Sequence, residues 1–448
     1  MRFLFDLRKE RTAFVGLHCS VTDPDLRRDR SDDVLQICVR MKLQSEYSVE
    51  ENLAGYPNAL VGRQPSGAVL HLLSSEAWGG LELYVCRLAD EMAHADMETY
   101  LACNPDSRTG AFAREKNIFA FPFIRHSYPS PIDILRLRDF VRAKSISVVH
   151  THYHCDVGTV SFALRGQTFQ NVKLFHSAYM GIARKLDAFH RAVYDRVDGL
   201  FVSIPKFATE VKERIAIDPE KVHVLHYGRD LSSFEQNPSA RKEIRHYLDI
   251  PDDEMLVGTM ARIDPGKGIR EFVESFLELK PSVRQRTSYL VIGEPTIKGL
   301  KPNGTLQYEP KCEVYNRDVR NFVSQNKLEK NIKFIGFKND YVPYLDAMDV
   351  FVLASHDEAY SLSVLDAMAM NLPVIGTNSG GTPYQISDGV SGLLVEPKSP
   401  DAIARAIERY FENPALRAEH GRNGRMFVEE EHSFSKTLST LKNFYFNE

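Results

Sequence analysis

Residues 355–395, SHDEAYSLSVLDAMAMNLPVIGTNSGGTPYQISDGVSGLLV, are the stretch from which the rest of the chain can be read. The run leading into it, DVFVLAS (349–355), is short, apolar and without alternation, as a strand covered on both faces requires. A helix is expected next, with Asp366 among Leu365, Ala367 and Met368, and LPVIGT (372–377) reads as another buried strand. Glu358 therefore falls in a loop at a strand end, Asp366 about two turns into a helix, and Gly380-Gly381 at the following strand-to-helix turn. The two acids are too far apart to be an i, i+4 pair, so they suit two different parts of one ligand. The plain alternative is a loop acid plus a helix acid favoured by the macrodipole.

The same alternation extends outward. MLVGTMA (255–261), a helix through Ile269–Leu279, TSYLVIGE (287–294) and IKFIGF (332–337) precede the stretch. Further back come AVLHLLSS (68–75), a helical pattern carried by Leu83, Cys86, Leu88, Ala89 and Met92, and TYLAC (99–103). The helix DILRLRDFVRAK (133–144) and the runs ISVVHTH (146–152), VKLFHS (172–177), GLFVS (199–203) and KVHVLHYG (221–228) follow. Strands alternating with helices predict an α/β fold with parallel sheets. The polar break GRDLSSFEQNPSARK (228–242) reads as a linker between two doubly wound halves, which places a cleft between them. Residues 294–315 read as a polar surface loop.

Composition bounds the possibilities. At 448 residues the chain exceeds the roughly 250–300 that one core supports, so two domains are expected. A net charge of -4 argues against a protein whose main task is binding nucleic acid. No apolar run reaches the ~20 residues of a membrane span, and charges interrupt the amino-terminal stretch where a signal peptide needs an apolar core. The six cysteines are scattered, without the spacing of a disulfide framework or zinc module. The cytoplasm is the expected compartment. Residues 1–65 are highly charged and are given no role.

Several residues could carry chemistry. Gly79-Gly80 stands between the first strand and first helix, where glycine lets backbone approach a phosphate; a tight turn is the plain alternative. Arg262 and Lys267, in ARIDPGKGI, occupy the matching loop of the second half and could neutralise a diphosphate without a metal. An acid pair, two cations and glycine turns at strand ends suit a nucleotide sugar. His176 ends the strand VKLFH, placed to touch a substrate hydroxyl or to be a bonded structural histidine. His150, His152 and His154 alternate on one strand face, but ligands ~6–7 Å apart suit a tetrahedral metal poorly, so no metal site is assigned. A helix over Ile182–Val197 sets Arg184, Lys185, His190, Arg191 and Arg196 beside Leu186, Phe189, Val193 and Val197. It is read as core with a wet face, and peripheral contact with the inner face of a membrane stays open.

In order of motifs, residues 66–448 resemble glycosyltransferase family 4, retaining enzymes of the GT-B fold. The resemblance rests on WGGLE (78–82), HTH (150–152), LFHS (174–177), YGRDLSSF (227–234), RIDPGKG (262–268), FIGF (334–337) and the block from Glu358 to Asp366. It implies two Rossmann-like doubly wound domains facing a central cleft: 66–234 for the acceptor, 235–432 for the donor, with 433–448 a helix returning to the first. It further implies Arg262 and Lys267 on the donor pyrophosphate, Glu358 and His176 beside the donor sugar, and Asp366 on the ribose. Gly79-Gly80 would close on phosphate and acceptor, Ser361 and Leu362 would line the donor site, and the backbone at Phe337 would face the base. The implied activity is metal-independent retaining transfer of a hexose from a nucleotide-diphosphate sugar, UDP-linked first. The acceptor would be a glycan or lipid-linked glycan in surface-polysaccharide synthesis, and no cofactor is needed.

The sequence also departs from the family pattern. Asp366 replaces a glutamate, Ala359, Tyr360 and Ser361 replace a Gly-Phe-Gly run, and Tyr384 stands where an acid often follows. Tyr227 replaces a frequent asparagine, and Glu294-Pro295 a glycine turn. Other GT-B chemistry, such as a phosphorylase or sugar-nucleotide epimerase, and a non-catalytic nucleotide-sugar-binding protein are the competing readings.

Overall fold

The strand-like runs form two wholly parallel sheets. The structure, a computed structural model, describes residues 67–124, 129–179, 183–300 and 305–447. The extension 1–65 lies outside the described residues.

The first sheet contains β1 (Ala68–Leu72), β2 (Thr99–Cys103), β3 (Phe119–Pro122), β4 (Ile146–Thr151), β5 (Lys173–Ala178), β6 (Gly199–Val202) and β7 (Val222–Val224). Their order is β3-β2-β1-β4-β5-β6-β7. The second is built from β8 (Met255–Met260), β9 (Thr287–Ile292), β12 (Ile332–Phe334), β13 (Val350–Leu353), β14 (Val374–Thr377) and β15 (Gly392–Val395), in the order β12-β9-β8-β13-β14-β15. Between β9 and β12 in sequence lies a small antiparallel pair, β10 (Ile297–Leu300) with β11 (Leu306–Tyr308).

In each large sheet the direction of winding reverses once, at β1/β4 and at β8/β13. Loops leaving neighbouring strands on opposite sides of such a point splay apart and leave a crevice at the carboxyl ends. Gly79-Gly80 follows β1, Arg262 and Lys267 follow β8, and Glu358 follows β13. Because β8 and β13 pair directly (Val257 with Val350, Gly258 with Phe351), the loops after them are adjacent. Sheet order, not sequence proximity, brings the candidate cations to the candidate acid.

The chain crosses between the halves twice. The outgoing crossing at Arg229 pairs with the returning one at Ser433. The final helix, Phe434–Phe446, then packs on the first sheet, where the Tyr445 hydroxyl meets His150 Nδ1 and Phe444 lies 5.0 Å from Phe201, ring to ring.

Three expectations need correction. Residues 294–315 are not a structureless loop: β10 pairs antiparallel with β11, and a helix begins at Pro310. The helix expected from Ile182 starts at Ala188, where the Asp187 side chain caps the N–H of His190. Lys185 is instead held extended by backbone bonds to Arg214 and Ala216. The linker 228–242 does run between the two sheets, but it is not all exposed loop: Arg229 is 3% exposed and a helix starts at Pro238 under an Asn237 cap.

Candidate functional site

Lys267 Nζ lies 2.6 Å from Glu358 Oε2, with the side chains 23% and 14% exposed. Ser355 Oγ donates to the same oxygen at 3.1 Å. The loop after β8 reaches this place because Gly268 adopts φ +65°, where a Cβ would sit 1.8 Å from the carbonyl oxygen of Ala354. Gly380 and Gly381 do the same for the acid: Gly381 N–H donates to Glu358 O at 2.6 Å. A Cβ on Gly381 would lie 1.8 Å from Ala359 O, and one on Gly380, at φ +59°, 2.3 Å from Glu358 O. The double glycine thus shapes the Glu358 loop from behind.

Arg262 is 45% exposed, and its Nε is 3.5 Å from Asp264 Oδ2, a loose pairing that leaves the guanidinium available. Across the crevice the Gly80–His94 helix presents its amino end. Glu82 holds that end by accepting from Gly79 N–H at 2.9 Å and from Ser75 Oγ at 2.6 Å. A Cβ on Gly79 would come within 4.0 Å of Arg262 Cδ, and one on Gly80 within 3.3 Å of Leu362 Cδ1. Gly79, Gly80, Arg262 and Leu362 therefore line one gap, and a helix amino end with nearby cations favours an anion there. Ser361 caps the Leu362–Ala369 helix through Val364 N–H, while its own backbone is bonded on both sides to Gln385.

Phe337 has Arg108 of the first half over its ring, 5.6 Å from the centroid. Arg108 NH1 also lies 3.7 Å from Glu294 Oε1. Arg108 was missed in the sequence because nothing in DSRTG marks one arginine as reaching another domain.

Asp366 is placed differently from expectation. It is 3% exposed and ion-paired with Arg229, Nε to Oδ1 at 2.8 Å. Its Oδ2 accepts from Tyr341 at 2.9 Å and from Arg229 NH2 at 3.3 Å, whereas Oδ1 has no hydrogen-bond partner among the described residues. Arg229 escaped notice in the sequence because the stretch around it is polar; its one signal was a long cation between Gly228 and Asp230.

His176 is 1% exposed within β5, not at its mouth. Its Nδ1 lies 3.0 Å from Thr151 Oγ1, and burial lowers its pKa to about 3, so the ring is neutral. Nε2 has no hydrogen-bond partner among the described residues, and no bond joins His176 to Arg262, Lys267 or Glu358 among them.

The histidine cluster also differs. β4 ends at Thr151, and His71 of β1 joins His150 and His152, with their ligand atoms within 4.8 Å of one another. Each ring nitrogen already has a protein partner. His71 meets His152 at 2.8 Å and Met92 Sδ at 2.9 Å, His152 meets Tyr179, and His150 meets Tyr445 and Ser177. The trio is a saturated buried network, and desolvation holds all three below the ordinary histidine range.

Known proteins resemble this chain in sequence and in fold. The model for glycosyltransferase family 4 matches residues 78–233, and that for group 1 glycosyl transferases matches residues 240–427. The chain belongs to glycosyltransferase family 4. It is 25% identical over 430 residues to the D-inositol 3-phosphate glycosyltransferase of Saccharomonospora viridis, covering 88% of this chain and 96% of that one. The enzyme of the same name from Mycobacterium marinum is 26% identical over 360 residues, 74% of this chain and 72% of the relative. Among solved structures, Anabaena HepE in complex with UDP superimposes with a TM-score of 0.71 at 16% identity, over 84% of this chain and 98% of that one. A glycosyltransferase from Rickettsia africae gives 0.72 at 18%, over 85% and 97%. These likenesses establish the GT-B architecture, and the family assignment makes this glycosyltransferase an enzyme of two parallel-sheet α/β domains.

Proposed function

We propose that this glycosyltransferase moves a hexose from a UDP-sugar to a glycan or glycolipid acceptor, with retention at the anomeric carbon and without a metal. The observation that carries the reading is the Lys267–Glu358 pair on the loops after β8 and β13, with Arg262 of the first of these loops beside Gly79 at the amino end of the Gly80–His94 helix. HepE, of the same fold, has been solved with UDP-glucose.

The diphosphate would take Lys267 from Glu358 and complete its charge neutralisation on Arg262 and the helix end. As the bond from the anomeric carbon to the diphosphate oxygen breaks, these cations stabilise the leaving charge, the largest catalytic effect in the site. The acceptor hydroxyl attacks from the same face, and its proton passes to the departing phosphate oxygen. Glu358, released from Lys267, orients the sugar and stabilises positive charge at the anomeric carbon. The acceptor would lie on the first half, and closure of the cleft would exclude water.

Peripheral contact with an anionic bilayer is a subsidiary part of the proposal. Leu186 and Phe189 are 36% and 47% exposed beside Arg184, Lys185 and Arg191. Among the described residues no helix is long and apolar enough to cross a membrane.

Thermal shift with UDP, GDP, ADP and their sugars, in the presence of EDTA, tests the donor site. NMR of the product's anomeric configuration tests retention. Stabilisation by a nucleotide with chelator present supports the reading. No shift with any nucleotide, or an inverted product, overturns it.

A further inference from the structure

Two positions at which the sequence departs from the family pattern, Tyr227 and Tyr360, meet at His432. His432 Nδ1 lies 3.0 Å from the Tyr227 carbonyl oxygen, and Nε2 lies 2.9 Å from the Tyr360 hydroxyl. A carbonyl can only accept, so Nδ1 carries the ring proton and Nε2 accepts from Tyr360 O–H. All three residues are buried, His432 completely. Burial lowers the His432 pKa to about 3, which keeps the ring neutral with one donor and one acceptor.

His432 stands on the returning chain crossing. Its carbonyl accepts from Arg229 N–H at 2.6 Å, and Phe434 N–H donates to Arg229 O at 3.1 Å, which ties the two crossings together. Tyr360 stands two residues after Glu358, in the loop after β13. Its neighbours in that loop are bonded within the second half: Gly381 N–H donates to Glu358 O at 2.6 Å, and the Ser361 backbone is bonded twice to the Gln385 amide. Tyr360 is thus where the loop carrying Glu358 meets the crossings. An aromatic ring alone would fill this apolar space. The hydroxyl adds a direction, because a buried polar group is costly without its partner.

We propose that His432 is a positioning residue for Glu358: through Tyr360 it fixes the Glu358 loop to the paired chain crossings, so that crossings and acid move as one piece. The inference rests on the nucleotide-sugar reading above and adds to it two residues that act through Glu358. Their loss shows in turnover and not in nucleotide affinity, because Arg262 and Lys267 lie on a different loop.

The test is a double-mutant cycle in the full chain. Tyr360→Phe removes the hydroxyl and keeps the ring. His432→Asn keeps a donor for the Tyr227 carbonyl and removes the acceptor for Tyr360. Turnover is read as UDP released from UDP-glucose, with water as acceptor, beside the affinity for UDP. Each single variant is expected to lower kcat at least about fivefold, with UDP affinity within about twofold of wild type. The double variant should fall no more than about twofold below the slower single one, because the two side chains act as a unit. Unchanged kcat in Tyr360→Phe, or two losses that multiply, would overturn the inference. UDP affinity at least about tenfold weaker would overturn it as well, since the nucleotide site and not the acid would then have been lost.

Amide hydrogen exchange separates this inference from the donor reading. Faster exchange over 358–361 in Tyr360→Phe than in wild type, with 269–278 unchanged, supports the coupling even if UDP-glucose is not turned over. Equal exchange over 358–361 refutes it.

Discussion

Lys267 and Glu358 are 91 residues apart in sequence and neutralise each other at 2.6 Å, across the ends of two adjacent strands. In the proposed reaction one belongs to the diphosphate and the other to the sugar, so donor binding exchanges one ion pair for another. A partly solvated pair is worth roughly 1 kcal/mol, and a diphosphate with Arg262 nearby displaces it at little cost.

Replacing Lys267 by alanine is expected to lower kcat by about 10²–10³. Glu358 keeps its bond from Ser355, so the melting temperature should move by no more than about 4 °C. Steady-state kinetics beside calorimetry checks this. Wild-type turnover would remove Lys267 from the leaving group.

Glu358→Gln should separate binding from catalysis. With its competitor neutralised, Lys267 is free for the diphosphate, and UDP should bind up to about fivefold tighter. Turnover should nevertheless fall, because no charge remains to face the anomeric carbon. Titration calorimetry showing weaker UDP binding would contradict the exchange.

Gly381→Ala is expected to damage the site from outside it. Its Cβ would meet Ala359 O at 1.8 Å, displacing the backbone that carries Glu358. The stability cost should be about 1–3 kcal/mol, with at least a ~10-fold loss of kcat. Gly299→Ala, with nothing within 4 Å, is the control. Equal behaviour of the two variants would show that the Glu358 loop does not depend on the double glycine.

Acid should destabilise the fold early. Burial lowers His176 and His432 to about 3, so each is neutral when folded and titrates near its ordinary value of about 6.5 when unfolded. For a depressed histidine the stabilisation is complete above the unfolded value and is lost as pH falls toward the folded one. Each should lose about 2 kcal/mol between about pH 6.5 and about pH 5. Urea midpoints that coincide at about pH 7.5 and about pH 5 would show that these rings do not set the acid limit.

The membrane proposal rests on Leu186 and Phe189. Sedimentation with phosphatidylglycerol vesicles should fall at least several-fold in Leu186→Glu/Phe189→Glu, while neutral vesicles bind neither protein. Equal sedimentation of variant and wild type would rule out this face.

The sheets, Glu358 at a strand end and the cations after β8 were legible because each rests on local pattern: apolar runs for buried parallel strands, glycines for turns, loops after strands. What failed was also local in cause. The Asp187 cap and the backbone bonds of Lys185 shortened a helix whose periodicity began earlier. The antiparallel pairing of Ile297–Leu300 with Leu306–Tyr308 was hidden by polar composition.

The sequence by itself determined two parallel α/β halves and the charged residues at their strand ends, since periodicity and turn chemistry are written in neighbouring positions. Tertiary structure alone decided which charges meet. Adjacency of β8 and β13 gives Lys267 to Glu358, the paired crossings give Arg229 to Asp366, and β1 beside β4 replaces His154 by His71 in the buried trio. Such partnerships depend on the order of strands in a sheet and on which side chains are withdrawn from water, and neither quantity is carried by any single stretch of the chain.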